Sequence, residues 1–503
     1  MNWKRYKSFE ASVKRNEAYY IIGLDIGNDS SAIAFYNLAD YAPESIDLSG
    51  GYGKPSIPTV MQYISETKEW VFGEYAVLNS GTGVTFLGLT ERLGRFDYVD
   101  VAGRSFSVAA VLAMFLKEIL GNVKSINPKA EIVGIVAAVP AYFNESAREE
   151  FLRAFKLAGY EKELIALVPD RECILAHYYR QLPDKEEHTL ILDFGNRELR
   201  GGLYEIKPEG GGIVAVSLSS LFDDMVSMGA VNRDVTKLFE SFIGDSTDAK
   251  QHIPAFTHQH KDMLFQKNIR SKPVKLYFNF AYPPTQHTLT SGEADMLIKP
   301  YAGRFNRFIR DVTEKNLRKI PVSKIDVVIC VGGGFDMLWA RDAVCNVFSK
   351  DRVRFGKNPK LTIAEGAAVI AARMLEVEGI NLTLEDNHQL KADIGFADGE
   401  NFLTLVERNG FWWQKHPAKL LLINEAVAGD VNLQLARRNA EGEGRILTTV
   451  KLDGLPERPK GVTRLEANVE FYSDEEFIVT MRDVGFGELF PKVEYVREFT
   501  VRV

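Results

Sequence analysis

Residues 21–31 read IIGLDIGNDSS, residues 191–197 read ILDFGNR, and residues 328–334 read VICVGGG. Each is an apolar run that stops at a glycine turn. The first two place an aspartate, Asp25 or Asp193, two positions ahead of the glycine, Gly27 or Gly195. A buried strand ending in a tight turn offers backbone N–H groups to a phosphate, and an aspartate at the strand end can hold the water shell of a magnesium ion. Two such units and a later glycine-rich turn predict a cleft between two related lobes.

The elements that must position these turns are legible as a change of period. From residue 20 to about 373, apolar strands alternate with amphipathic segments, as in α/β layering. Residues 143–158 form the clearest helical stretch: Asn144 takes a cap position, and Ala147, Phe151, Ala154, Phe155 and Ala158 share one stripe. Residues 376–390 are polar and lose periodicity, which reads as a linker. Beyond them the period becomes two: Val431, Leu433 and Leu435, then Leu465, Ala467, Val469 and Phe471, then Phe477, Val479 and Met481. Residues 391–503 are therefore expected to form an antiparallel β-sandwich. Residues 1–19 carry basic residues without a continuous apolar core and read as a short arm rather than a leader.

A chain of 503 residues is long for one core. Its net charge of −7 gives neither nucleic acid nor an anionic membrane an electrostatic reason to bind, so neither is expected as a partner. No run of about 18 apolar residues suggests a spanning helix. Cys173, Cys330 and Cys345 are an odd set without a C-x-x-C pair, which fits reduced thiols and a cytoplasmic protein. His252, His258 and His260 have no cysteine or acid nearby to complete a metal site and read as a solvated loop, so no protein-ligated metal is expected.

In order and register, the three turns are similar to the two phosphate loops and the adenosine loop of the actin-like ATPase superfamily. Within it the chain most resembles the heat-shock protein 70 family, the DnaK-type chaperones. The resemblance rests on VPAYFNESAREEFLRAFKLAG at residues 139–159, RLGR at 92–95, GGGFDM at 332–337, NPKLTIAEGAA at 358–368 and TTVKLDGLPERPKGVTRLEANVEF at 448–471. It implies an α/β two-lobed actin-like ATPase domain of ribonuclease H-like repeats over residues 20–375. An all-β sandwich follows, without a C-terminal helical lid. It also implies ATP or ADP with magnesium as cofactor. Asp25 and Asp193 would stand at the magnesium-water positions, and Gly27, Asn28, Asp29, Gly195, Asn196, Arg197, Gly229, Lys267, Ser271, Gly332, Gly333, Gly334 and Asp336 would line the nucleotide.

Against that pattern, several catalytic positions are replaced. The family's catalytic lysine corresponds to Thr90, ahead of Glu91 and Arg92. The carboxylate before its proline-threonine turn becomes Val168, ahead of Pro169 and Asp170. The second loop, usually three glycines, threonine, phenylalanine and aspartate, reads Gly195, Asn196, Arg197, Glu198, Leu199 and Arg200, and Asp336 stands where an arginine packs on adenine. Losing one cationic or water-orienting group commonly costs about 10²–10³ in rate. A pseudo-ATPase is expected, with Arg197 or Arg200 turned towards Asp25, Asp29 or Asp193 as counter-charge.

By the same resemblance the β domain would bind unfolded or extended peptide, using Phe402, Leu420, Leu422, Val431 and Leu433, with Trp412 and Trp413 in the intervening segment. The partner is an apolar peptide segment or a partner protein, and the chain is expected to be a monomer. Three readings stay open: a chaperone-like binding module with weak or no hydrolysis, an active ATP-hydrolysing chaperone, and a scaffold that binds no nucleotide.

Overall fold

The computed structural model describes residues 19–47, 56–78, 83–95, 97–126, 128–129, 131–140, 143, 145–244, 247–265, 273–314, 320–356, 358–377, 380–385, 390, 392–399, 401–408, 416–439, 442–471 and 476–502. The chain divides into two compact units, Met1–Ala141 with Ser146–Glu385, and Tyr142–Glu145 with Asp386–Val503.

The first unit is built twice on one plan. Strand β1 (Tyr19–Ile26) turns into β2 (Ser30–Asn37), which pairs on with β3 (Ala42–Ser45) and β4 (Ser56–Pro58). On its other side β1 lies parallel to β5 (Glu131–Val139), and β5 parallel to β6 (Leu164–Pro169), giving the order β6-β5-β1-β2-β3. Helix α1 (Val108–Ile126) precedes β5, α2 (Glu145–Ala158) links β5 to β6, and α3 (Asp170–Tyr178) follows β6.

The second sheet repeats the scheme with β7 (Glu187–Phe194), β8 (Leu199–Glu209), β9 (Gly212–Asp223), β10 (Val327–Val331), β11 (Val353–Phe355) and β12 (Leu382–Glu385), in the order β11-β10-β7-β8-β9-β12. Helices α4 (Met228–Ile243), α5 (Ile253–His260) and α6 (Ser291–Glu314) precede β10, α7 (Leu338–Val347) links β10 to β11, and α8 (Thr362–Met374) follows β11. A parallel neighbour needs a crossover, whereas the hairpins need only a short turn. That is why each repeat has a helix-rich side and a hairpin side.

Helices α3 and α8 pack between the sheets. Cys173 and Ala176 of α3 join Ala364, Ala367, Ala368 and Ala371 of α8 against β1 and β5, while Ile174 and Leu175 face Ile191, Tyr204 and Ile329 of the second sheet. A helix apolar on both sides belongs in the interior. The approach is backbone to backbone: a β-carbon on Gly23 would lie 2.0 Å from the Ala364 carbonyl oxygen, and one on Gly366 would lie 1.8 Å from that of Cys173. On α2 the expected stripe is buried, with Phe151 and Phe155 at 1% and 0% exposure.

Two sequence expectations change. The polar stretch 376–390 is not all linker, because β12 adds to the sheet edge beside β9, with Ile213 opposite Leu382. Its polar residues are tolerated there because the edge strand has half its side chains in water, Thr383 and Glu385 among them. The histidine-bearing segment is helix α5 rather than a loop: His258 Nε2 lies 3.1 Å from Glu74 Oε2, and the His260 ring stacks on Phe256 at 4.0 Å.

The second unit consists of two four-stranded antiparallel sheets. One runs β14-β13-β16-β17, from β13 (Asp393–Asp398), β14 (Asn401–Val406), β16 (Val431–Arg438) and β17 (Gly444–Leu452). The other runs β15-β18-β19-β20, from β15 (Lys419–Ile423), β18 (Thr463–Phe471), β19 (Glu476–Asp483) and β20 (Val496–Arg502). The period-two face is the core: Leu435, Leu465, Phe477, Val479 and Met481 are all 0% exposed. Among the described residues no helix is long and apolar enough to cross a membrane.

Candidate functional site in the first unit

Equivalent turns close the two hairpins. Gly27 N donates to Ser30 O and Gly195 N to Glu198 O, both at 3.1 Å. The glycines differ in necessity. A β-carbon on Gly27 would meet Ser30 O at 2.5 Å, while one on Gly195 would make ordinary contact with Glu198 O at 3.5 Å. The expected requirement for glycine therefore holds for the first turn by collision, and the second turn would accept a side chain. The glycine-rich turn after β10 closes on the second hairpin. Gly332 has φ of +89° and lies where a β-carbon would meet Asp193 Oδ1 at 2.6 Å, and Gly334 lies against the Phe194 ring.

These turns gather carboxylates. Asp25 ends β1 and Asp193 ends β7, each the penultimate residue of its strand. Asp170 opens α3, where its carboxylate accepts from Arg171 N at 2.7 Å, and Glu198 closes the second turn. Arg200 Nη1 donates to Asp170 Oδ2 at 2.8 Å, and Nη2 donates to Glu198 Oε1. Burial alone would lower the Arg200 pKa, but Glu198, Asp170 and Asp193 outweigh it and raise it. The guanidinium is thus held charged between its partners.

One guanidinium does not balance the group. Burial, then the charges of Asp193 and Asp170, push Asp25 up to about 8. Burial and the charge of Asp170 push Asp193 up to about 7, against the opposing pull of Arg200. Arg148 on α2 also acts on Asp170, though burial lowers its own pKa first. Carboxylates in this state bind protons or a cation.

The expected inward arginine is Arg200, and half-buried Arg197 lies on the same hairpin. Asp170 is not among the residues the sequence points to, because the family pattern places its carboxylate at the position of Val168. Val168 is core, whereas Asp170 two residues on brings a carboxylate back to the cluster. Register supplied a usable signal for Arg200: with a turn at 195–198, Phe194 pairs with Leu199 and Asp193 with Arg200.

Other candidate contacts are already engaged within the protein. Asn28 Nδ2 donates to Glu91 Oε1 at 2.8 Å and its Oδ1 accepts from Thr90 Oγ1 at 3.1 Å, tying the first turn to residues 90 and 91. Asp29 holds Thr59 N through its carbonyl at 2.8 Å. Gly229 N donates to Asn196 O at 2.7 Å, and Met228 N to Gly195 O at 2.9 Å, so the second turn caps α4. Asp336 closes the short 3₁₀ turn Gly333–Asp336. Lys267 and Ser271, like Trp412 and Trp413, lie outside the described residues.

In the β unit the candidate peptide residues do not share one surface. Phe402, Val431 and Leu433 are half-buried on the β14-β13-β16-β17 sheet, with the Arg438 guanidinium 4.3 Å from the Phe402 ring. Leu420 and Leu422, 55% and 45% exposed, point away from the sandwich interior, because Ile423 fixes the alternate face of β15 as the buried one. A further cluster went unnoticed in the sequence. Glu186, His188 and Glu205 place ligand atoms within 4.8 Å of one another, and Lys207 Nζ already lies 2.6 Å from Glu205.

Two family models match the chain: a family of unknown function, DUF5716, by its C-terminal part, over residues 42–244, and a domain of unknown function, DUF8552, over residues 392–503. Among characterised proteins, the chaperone protein DnaK of Thermosipho africanus is 24% identical over 496 residues, covering 94% of this chain and 79% of that protein. DnaK of Thermosipho melanesiensis is 24% identical over 488 residues, covering 93% and 79%. The coverage spans both units. The chain is a divergent relative of DnaK, similar to it over nearly the whole length.

Proposed function

We propose that this protein is a chaperone-like module whose first unit is an actin-like nucleotide-binding domain and whose β unit binds extended apolar peptide. It would hold ATP or ADP with magnesium and hydrolyse ATP slowly or not at all. The observation that carries the reading is the pair Asp25 and Asp193, set at equivalent strand ends of a repeated fold and pushed up to about 8 and 7 by burial first and by neighbouring carboxylates second.

The donor set fits magnesium, which prefers oxygen ligands and keeps part of its water shell. When bound, the ion would neutralise the carboxylates and orient phosphate oxygens. Asp25 and Asp193 would hold it through water, Asp170 and Glu198 would keep Arg200 in place, and the Asn28 bonds would keep the first turn rigid. Slow turnover follows from Thr90. It is buried, neutral and bonded to Asn28, so no cation stands there to stabilise developing charge. Buried, unpaired Cys173 and Cys330 favour a reducing, cytoplasmic setting.

The ion pairs of Arg200 favour one rival, a scaffold whose cleft is closed by its own arginine. Calorimetric titration with magnesium-ATP and magnesium-ADP separates the two. Saturable binding lost in Asp193→Ala supports the nucleotide reading, and no heat with either ligand leaves the scaffold.

A further inference from the structure

The glycine-rich turn also carries a cation, beside the glycine that follows the one facing Asp193. Pro359 O accepts from Gly332 N at 3.2 Å, which ties the segment ahead of α8 to the turn. The next residue, Lys360, has its backbone N–H held by Asn358 Oδ1 at 3.2 Å. Its side chain then crosses Gly333: a β-carbon there would lie 2.7 Å from Lys360 Cε and 3.7 Å from Nζ. Gly333 thus leaves room for the lysine, just as Gly332 leaves room for the Asp193 carboxylate. Lys360 is half-buried and forms no ion pair among the described residues. Of the carboxylates gathered at these turns, Asp170 and Glu198 bond Arg200 rather than Lys360.

A half-buried ammonium without a counter-ion is unfavourable, and one laid along a glycine-rich turn stands where backbone and ammonium can grip one anion together. We infer that Lys360 is an anion-contact residue of the cleft, binding a phosphate group of the ligand at the third turn. This rests on the nucleotide reading and extends it. The cation side of the ligand goes to Asp25 and Asp193, the anion side goes to Lys360, and the glycine-rich turn between them keeps the two charges apart. Adenosine, which lacks the anion, gains nothing from Lys360.

The test is calorimetry on the full chain with magnesium-ADP and adenosine, comparing wild type, Lys360→Gln and Lys360→Arg. Removing one charge-assisted contact should weaken ADP about tenfold in Lys360→Gln, leave adenosine unchanged, and be largely restored in Lys360→Arg. Equal ADP affinity in wild type and Lys360→Gln overturns the inference. If wild type binds no nucleotide, the nucleotide reading fails, and inorganic pyrophosphate decides this one. A rise in melting temperature with pyrophosphate that Lys360→Gln abolishes supports the anion site, and a response independent of Lys360, or none, overturns it. Unchanged melting of the unliganded variants shows that folding is intact.

Discussion

Asp483 in the β unit meets Arg458 through two hydrogen bonds, Nη1 to Oδ1 at 2.6 Å and Nη2 to Oδ2 at 2.8 Å, with the Asp483 side chain 0% and the Arg458 side chain 3% exposed. Val493 N and Gly485 N donate to the same carboxylate at 2.8 and 3.3 Å, and Arg458 Nη2 also reaches Pro491 O at 2.9 Å. Burial pushes the Asp483 carboxyl up, but Arg458 and the two amides overcome it and hold the pKa below the usual value. At the turns of the first unit, Arg200 is shared by Asp170 and Glu198, while Asp25 and Asp193 are lifted by burial and repulsion. The side chains are of the same kind in both places. One charge per partner and a full set of donors make a structural clamp. Surplus carboxylate gathered at a set of turns is instead what the proposed cation site rests on.

The largest effect should come from breaking the clamp. Arg458→Leu strands a buried carboxylate and is expected to cost about 3–5 kcal/mol, whereas Asp25→Asn removes surplus charge and should leave metal-free stability unchanged or raised. Urea unfolding of the full chain, followed with separate probes for each unit, reads both. An Asp25→Asn loss as large as that of Arg458→Leu would show that the cleft carboxylate is a clamp too.

The cleft charge should bind without doing chemistry. With Thr90 neutral, single-turnover ATP hydrolysis is expected to fall at least about 10² below that of a Thermosipho DnaK under matched conditions, or ~2.7 kcal/mol of barrier. Comparable rates, abolished by Asp193→Ala, would sink the pseudo-ATPase reading.

Titration gives the two regions opposite slopes. The raised Asp25 and Asp193 bind protons in the folded state over a range where the unfolded chain has released them, from near 4 up to about 8 and 7. Their contribution to stability is complete below the ordinary carboxylate value and is lost as pH rises through 7 and 8. The lowered Asp483 contributes above that value and loses its effect as pH falls through the folded pKa. Magnesium must displace the protons on the cleft pair, so its shift in melting temperature should grow from pH 6 to pH 8.5 in wild type and flatten in Asp25→Asn. A magnesium shift independent of pH in wild type would argue against this carboxylate pair as its site.

What the sequence could show of this contrast depended on distance along the chain. Asp25 and Asp193 were legible because a strand end and its turn are local, and Arg200 became so once the hairpin register was counted. Asp170 is harder to see, since it stands at the start of the next helix and joins Asp25 and Asp193 only through the fold. Arg458 and Asp483 lie on different segments of the β unit, and no local period announces their pairing. Strand β12 resembles a linker in sequence because an edge strand needs only half its residues apolar. The bond of Thr90 to Asn28 joins residues 62 apart in the chain, and no local pattern announces it.

The smallest stability effect, and the sharpest test of the β unit, concerns the outer face of β15. Leu420 and Leu422 are exposed, and their cross-strand partners are Glu466 and Arg464, so this apolar pair sits in a charged surround. Val431 and Leu433 share a face with Leu435, which is 0% exposed, so a charge there enters the sandwich. If extended peptide lands on the exposed pair, Leu422→Asp should remove binding of a fluorescent apolar peptide while shifting stability by no more than about 0.5 kcal/mol. Val431→Asp should instead lose binding together with stability, because it acts through the core. Anisotropy and urea titration on the same samples distinguish the two routes. A Leu422→Asp variant that binds as wild type moves the peptide site to the half-buried sheet, around Phe402. Binding lost in Leu422→Asp alone, with both units still folded, fixes it on β15.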